Sequence, residues 1–218
     1  MDTVFYFIYT AAYLVLLIMC INFGNRWDAS SLLFLVVFGL VYDNGLIAIG
    51  KFLGEGPLLE NLSYLRFWFH AFFTPTLVLF SWSVLNRAGI EFAKRKIVYI
   101  VALFYTITLV IMEIITETYG VKIVPEREHG LLRYVSAEPS SGPPLMVLFV
   151  SIALITAGAI LWKKTGWKWM LIGSVVMTVG SAVPISVESA AVTNGFELFL
   201  MITLVATKIH QDRQLKGA

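Results

Sequence analysis

The sequence predicts an all-α polytopic membrane bundle of seven transmembrane helices. Hydrophobic residues make up 58% of the 218 residues and charged residues only 14%, whereas soluble domains carry about 25% charged residues. Apolar runs of about 20 residues, the length that crosses a bilayer, recur along the whole chain. We therefore expect a single transmembrane domain over residues 1–218, with no separate soluble domain.

Short polar breaks divide the apolar runs into seven candidate spans. The predicted spans are residues 3–23, 31–50, 62–85, 97–117, 144–162, 167–187 and 190–208. The longest interval between spans, 119–142, is polar. A connection of this length in a compact membrane protein is typical of a loop that covers a functional site.

The basic residues predict the orientation of the bundle. Eleven of the 16 Lys and Arg residues lie in the loops after the first, third and fifth spans or in the C-terminal tail. By the positive-inside rule these segments are cytoplasmic, so the N-terminus is outside and the C-terminus is inside. This topology predicts an integral protein of a bacterial plasma membrane.

Polar side chains of five spans gather at one level, in the outer half of the bundle. Asp43, for example, lies about 10 Å below the outer end of the second span at 1.5 Å per residue. Charged groups inside a bilayer usually face a bundle interior or a cavity. We therefore predict an outward-facing cavity beneath the 119–142 loop. Its predicted lining residues are Asp43, Asn44, Arg66, His70, Glu113, Glu117, Asn194 and Glu197.

Two of these residues are candidates for acid–base chemistry. A carboxylate and an imidazole at one depth could exchange a proton, which makes Asp43 and His70 the predicted catalytic pair. Arg66 is predicted to hold an anionic head group, and the other five residues to bind the same ligand. A purely structural pairing of Asp43 with Arg66 or His70 also accounts for the pattern.

Several kinds of site are excluded by the sequence. Phosphate-binding glycine loops, HExxH and GxSxG motifs are absent. The single cysteine, Cys20, precludes an intrachain disulfide. Of the three histidines, His210 falls on the cytoplasmic side, which excludes a three-histidine zinc site, whereas His70 and His129 with carboxylates leave a mixed site open. We assign no metal and no cofactor, and the mild basicity does not indicate nucleic acid.

Four short motifs resemble a known group of proteins. They are YDN at 42–44, RFWFHAFFTP at 66–75, LLRYV at 131–135 and SGPP at 141–144. Together they resemble a family of uncharacterised seven-helix membrane proteins from bacteria and cyanobacteria, over nearly the whole chain. The resemblance implies the seven-helix fold and brings no established activity.

Three functions remain open from the sequence. The first is a cavity that binds a lipid or isoprenoid-like small molecule and could act on it as a lipid-modifying enzyme or hydrolase. The second is a secondary transporter or proton-coupled carrier that uses the intramembrane carboxylates, and the third is a receptor or pigment-binding protein. The expected partners are membrane lipids and a small amphipathic ligand. Because the inner halves of most spans are apolar, we favour a one-sided site over a carrier.

Overall fold

The computed structural model of the protein describes residues 2–23, 28–138, 145–182, 189 and 191–214. Within these residues six helical segments are long and apolar enough to span a membrane. They are Asp2–Asn22, Ala29–Leu53, Pro57–Arg87, Lys96–Thr118, Leu145–Thr165 and Val192–Gln214. The structure therefore agrees with the predicted class of integral membrane protein.

The described residues form eight α-helices, and all of them except the seventh belong to these six segments. They are α1 (Asp2–Phe23), α2 (Leu33–Leu53), α3 (Pro57–Phe73), α4 (Leu77–Arg87), α5 (Lys96–Glu113), α6 (Leu145–Thr165), α7 (Trp169–Ala182) and α8 (Val192–Gln214). Short 3-10 turns cover Ala29–Leu32, Thr74–Thr76 and Glu91–Lys94, and a π-helical turn, Ile114–Thr118, extends α5.

Helix α7 differs from the sixth predicted span, 167–187. Its 14 described residues reach about 21 Å at 1.5 Å per residue, less than the roughly 30 Å of a hydrocarbon core. Residues 183–187 of the predicted span lie outside the described residues, as do Pro144 and the SGPP motif. The sixth predicted span, and with it a total of seven membrane-spanning helices, therefore stays a prediction.

The third span is two helices rather than one. Helix α3 ends at Phe73 and α4 begins at Leu77, with a 3-10 turn around Pro75 between them. Proline has no backbone N–H and its ring crowds the preceding turn, so an α-helix cannot continue undisturbed through it. The break lies about one turn after His70. It allows α3 and α4 to have different axis directions.

A β-hairpin occupies most of the predicted 119–142 loop, which the all-α prediction missed. Strand β1 (Ile123–Glu128) pairs antiparallel with β2 (Leu131–Ser136). The two turn residues, His129 and Gly130, both have positive φ, at 50° and 81°. This geometry matches the right-handed twist of paired strands, and it gives a two-residue hairpin.

The hairpin packs against the ends of several helices. We call this end of the molecule the hairpin end. Leu131, Leu132 and Tyr134 of β2 are buried in clusters with side chains of α1, α2 and α3. The Thr3 hydroxyl of α1 donates to the Gly130 carbonyl at 2.9 Å. The 119–142 segment is thus a packed part of the fold.

Gly50 of α2 sits against the carbonyl group of Leu132, and a Cβ at position 50 would overlap it. We expect Gly50→Ala to push β2 off α2, because a strand carbonyl cannot move aside as a side-chain tip can. Limited proteolysis should then cut the hairpin at Arg127 faster than in the wild type. Gly45→Ala on the same helix is the control, since its Cβ would meet only Thr10 at 3.5 Å. Equal cleavage of the two variants would contradict this account.

One continuous core runs through the middle of the bundle. Its fully buried side chains come from α1, α2 and α4 to α8, and include Tyr13, Leu33, Phe80, Leu154 and Leu204. Large apolar side chains on α1 and α5 point outward instead, such as Val15 at 57% and Phe104 at 72% exposure. An apolar exterior of this kind suits helices surrounded by lipid.

A buried ion network closes the opposite end of the bundle. Arg87, the last residue of α4, contacts Asp212 of α8 through Nη1 at 2.5 Å and Asp28 through Nη2 at 2.7 Å. The Lys208 Nζ donates to the second Asp212 oxygen at 2.7 Å. Burial alone would raise the pKa of Asp28, but hydrogen bonds from Ser30 and Arg87 outweigh it and lower the pKa. The network ties α4, α8 and the start of the second span together.

Candidate functional site

A cavity of about 350 Å³ lies at the hairpin end between α2, α3, the end of α5 and α8. Seven of the eight predicted site residues line it: Asp43, Arg66, His70, Glu113, Glu117, Asn194 and Glu197. The eighth, Asn44, is fully buried behind the wall. Side chains 154 residues apart in sequence, from Asp43 to Glu197, therefore share one small volume.

Arg66 of α3 is committed to Asp43 of α2. Its Nε donates to Asp43 Oδ1 at 2.5 Å, and its Nη1 reaches the Tyr134 carbonyl of the hairpin at 3.4 Å. A guanidinium paired with a carboxylate has its charge matched locally. Of the two pairings considered for Asp43 in the sequence, the structure has the one with Arg66, which leaves Arg66 less suited to hold an anionic head group.

His70 lies between a hydroxyl and a different carboxylate. Its Nδ1 is 3.2 Å from the Thr74 hydroxyl, and its Nε2 is 3.7 Å from Glu113 Oε1. The side chain of His70 is 43% exposed, whereas that of Glu113 is only 7% exposed. His70 is also one of the residues that line the cavity. An acid–base pair in this geometry is His70 with Glu113, rather than His70 with Asp43.

Helix α8 supplies the remaining polar wall. Asn194 Nδ2 donates to Asn44 Oδ1 at 3.1 Å, and Asn44 Nδ2 donates to the Leu40 carbonyl one turn back along α2 at 3.0 Å. Asn44 thus contacts Asn194 from behind the lining of the cavity. Glu197 lies one turn beyond Asn194 on the same face. Within the described residues neither Glu197 nor Glu117 forms an ion pair.

Aromatic side chains of α3 form an aromatic wall of the cavity beside its polar groups. Phe67, Phe69 and Phe73 of α3 line the cavity, and the rings of Phe69 and Phe73 stack at 5.1 Å. Gly39 of α2 makes room for them, because a Cβ there would meet Phe73 at 3.1 Å. The signal was present as the aromatic run RFWFHAFF, in which every third or fourth residue shares a face.

Below the cavity the bundle is closed by apolar packing. Val36 and Leu40 form the cavity's lower wall, and α8 buries Leu200, Met201 and Leu204 between Glu197 and Lys208. The hydroxyls of Thr203 and Thr207 in this region donate to carbonyls of α8 itself, at 2.7 Å each. The polar site and the ion network at the opposite end are thus separate.

The mixed metal site left open by the sequence is not formed by the described residues. No three His, Cys, Asp or Glu side chains among them are arranged to hold a metal ion. His129 lies at the turn of the hairpin, 3.5 Å from Glu128, and does not line the cavity with His70.

The chain was compared with protein-family models, curated proteins and solved structures. No family model matches it, and no curated protein or solved structure is similar to it. The resemblance to a seven-helix family therefore stays a prediction.

Proposed function

We propose that this protein is a seven-helix membrane protein that binds a small lipid-like molecule in the cavity at its hairpin end, with that end outside the cell. The observation that carries the proposal is the cavity itself. About 350 Å³ falls in the range of small-molecule sites, which combine apolar walls with a few convergent polar groups. Here polar groups from α2, α3, α5 and α8 line the same cavity as the aromatic wall of α3.

The charge balance of the lining favours a head group that is positively charged or donates hydrogen bonds. Four carboxylates line the cavity, and the Arg66 charge is already matched by Asp43. Glu117 and Glu197, which form no ion pair among the described residues, can accept hydrogen bonds from a ligand, and Glu113 can do so with its second carboxylate oxygen, since His70 lies 3.7 Å from Oε1. The faces of Phe67, Phe69 and Phe73 add attraction for a cation. This conclusion replaces the anionic head group expected from Arg66.

Binding is tested with three single-chain probes of equal length: decylamine, decanol and decanoate. We expect decylamine to bind the protein in nanodiscs more tightly than decanol, and decanoate to bind most weakly. Glu113→Gln with Glu197→Gln should weaken decylamine binding by about tenfold or more, since each pairing of charged groups contributes roughly 1.5–3 kcal/mol. Glu55→Gln, on an exposed ion pair with Arg127 outside the cavity, is the control.

A preference for decanoate, or equal binding of all three probes, would count against the proposed charge selectivity. Binding that Glu55→Gln weakens as much as the cavity variants do would show that the probes simply partition into the bilayer. Either result would leave the cavity without its proposed role.

Acid–base catalysis on the ligand is the second candidate, favoured by the placement of His70 between Thr74 and Glu113. A His–carboxylate pair of this kind can accept and return a proton. Incubation with extracted membrane lipids, followed by mass spectrometry, should then show turnover that His70→Ala abolishes while decylamine binding persists. A carrier is less favoured, because apolar residues of α2 and α8 close the cavity below.

A further inference from the structure

A second cavity lies on the flank of the bundle, between α4, α5 and α6. Its volume is about 560 Å³ and its lining is almost wholly apolar. Along α5 it runs from Val98 to Thr108, which is about 15 Å at 1.5 Å per residue, or half of a hydrocarbon core of roughly 30 Å. The groove therefore has the length of one leaflet.

Small side chains of α5 and α6 leave the space between the two helices that forms the groove. Ala102 of α5 faces Ala153 and Ala157 of α6. At one end the Tyr105 hydroxyl donates to the Phe149 carbonyl at 3.4 Å, and the two rings meet edge to face at 6.4 Å. This contact crosses from α5 to α6 in the part of the groove toward the hairpin end, where the lining reaches Thr108.

The other end of the groove opens beside a group of basic residues. Lys94, Arg95 and Lys96 are exposed at the start of α5, and Lys163 and Lys164 are exposed at the end of α6. The pKa of nearby Glu91 is lowered by a hydrogen bond from Lys94, by the Lys94 charge and, more weakly, by Lys164. The ends of α5 and α6 thus present their positive charges to the same region.

We propose that this groove binds one acyl chain of an anionic phospholipid whose head group contacts the basic residues at the groove's mouth. Basic sites between transmembrane helices attract anionic head groups, and an apolar groove one leaflet deep fits a single chain. A second copy of this protein is a poor occupant, since it would bring the same positive charges to the mouth. The inference is independent of the ligand proposed for the first cavity.

The test is native mass spectrometry of the purified protein titrated with phosphatidylglycerol or phosphatidylcholine. We expect phosphatidylglycerol to bind at lower concentration. Filling the groove with Thr156→Trp, or from the opposite wall with Ala102→Phe, should weaken phosphatidylglycerol binding by about tenfold through the loss of buried CH₂ groups. The matched control is Ile152→Trp, a lipid-facing position one turn away that is 51% exposed and lies outside the groove.

Replacing Lys94, Arg95 and Lys96 together with Gln should lower the affinity for phosphatidylglycerol by about tenfold. The preference over phosphatidylcholine should then be lost. The same change at Lys51, Lys122 and Arg127, all outside the groove, should leave the preference for phosphatidylglycerol unchanged. Unchanged binding in both filling variants would overturn the groove as the site, and an unchanged preference in the triple variant would overturn the head-group contact. Dimers that Thr156→Trp dissociates, without lipid adducts, would assign the groove to a second copy instead.

Discussion

Asp212→Ala is expected to lower the free energy of unfolding by about 3–5 kcal/mol, the usual cost of breaking a buried ion pair. The Asp212 side chain has no exposed surface and accepts bonds from both Arg87 and Lys208. Its removal leaves Lys208, which is 3% exposed, as a buried charge without its carboxylate. The measurement is an unfolding titration with SDS in mixed micelles.

Arg213→Ala is the control for this experiment, since Arg213 follows Asp212 directly on α8 but is exposed. Its removal should change the free energy of unfolding by about 0.5 kcal/mol or less. If the two variants unfolded alike, the ion network would not be what joins α4 to α8.

Arg66→Ala is expected to lower the free energy of unfolding by about 2–3 kcal/mol, less than Asp212→Ala because the pair is partly open to the cavity. The Arg66 and Asp43 side chains are 16% and 27% exposed, so water screens part of the interaction. Two contacts are lost at once, the one to Asp43 and the one to the Tyr134 carbonyl. The remaining Asp43 carboxylate then lacks its partner inside the bundle.

A double-mutant cycle isolates the pair from the rest of the site. Asp43→Ala combined with Arg66→Ala should cost less than the sum of the single changes, with a coupling energy of about 1–2 kcal/mol. The exposed pair Arg127–Glu55, at 3.2 Å, should couple by less than about 0.5 kcal/mol. If the free-energy changes of the two single variants simply added, the contact between Asp43 and Arg66 would contribute nothing to stability.

The members of the site could be predicted from the sequence because their signal is local. A charged residue in an apolar run is costly in a bilayer wherever the run packs. Asp43, His70 and Glu113 each interrupt such a run, and counting residues from the span ends gives their depth. Depth and sign of charge were therefore predictable one helix at a time.

The partners within the site could not be predicted, because they depend on the rotation and tilt of each helix. Arg66 and His70 are one turn apart on α3, and both lie within reach of the depth assigned to Asp43. The structure pairs Asp43 with Arg66 and brings His70 to Glu113. The direction of α3 depends on the break at Pro75. Counting residues from the span ends therefore cannot predict which carboxylate pairs with Arg66 and which lies near His70.

The hairpin and the ion network were missed for different reasons. The strand IVPERE contains a proline and three charged residues, a weak β-pattern that is tolerated because each strand has only one neighbour in the sheet. In the network, the Lys208–Asp212 spacing is readable as a helical pair. Arg87 and Asp28 come from distant segments, so only the folded chain shows that they complete it.

The order of the polar groups along the chain has a consequence for biosynthesis. Asp43 and Arg66 both belong to the segment that ends with α3, so the growing chain can neutralise this charge before α6, α7 and α8 are made. Asn194 and Glu197 arrive on the last helix and meet a wall that is already assembled. The ion pair can thus form from the early spans alone, whereas the cavity is complete only when synthesis of α8 has finished.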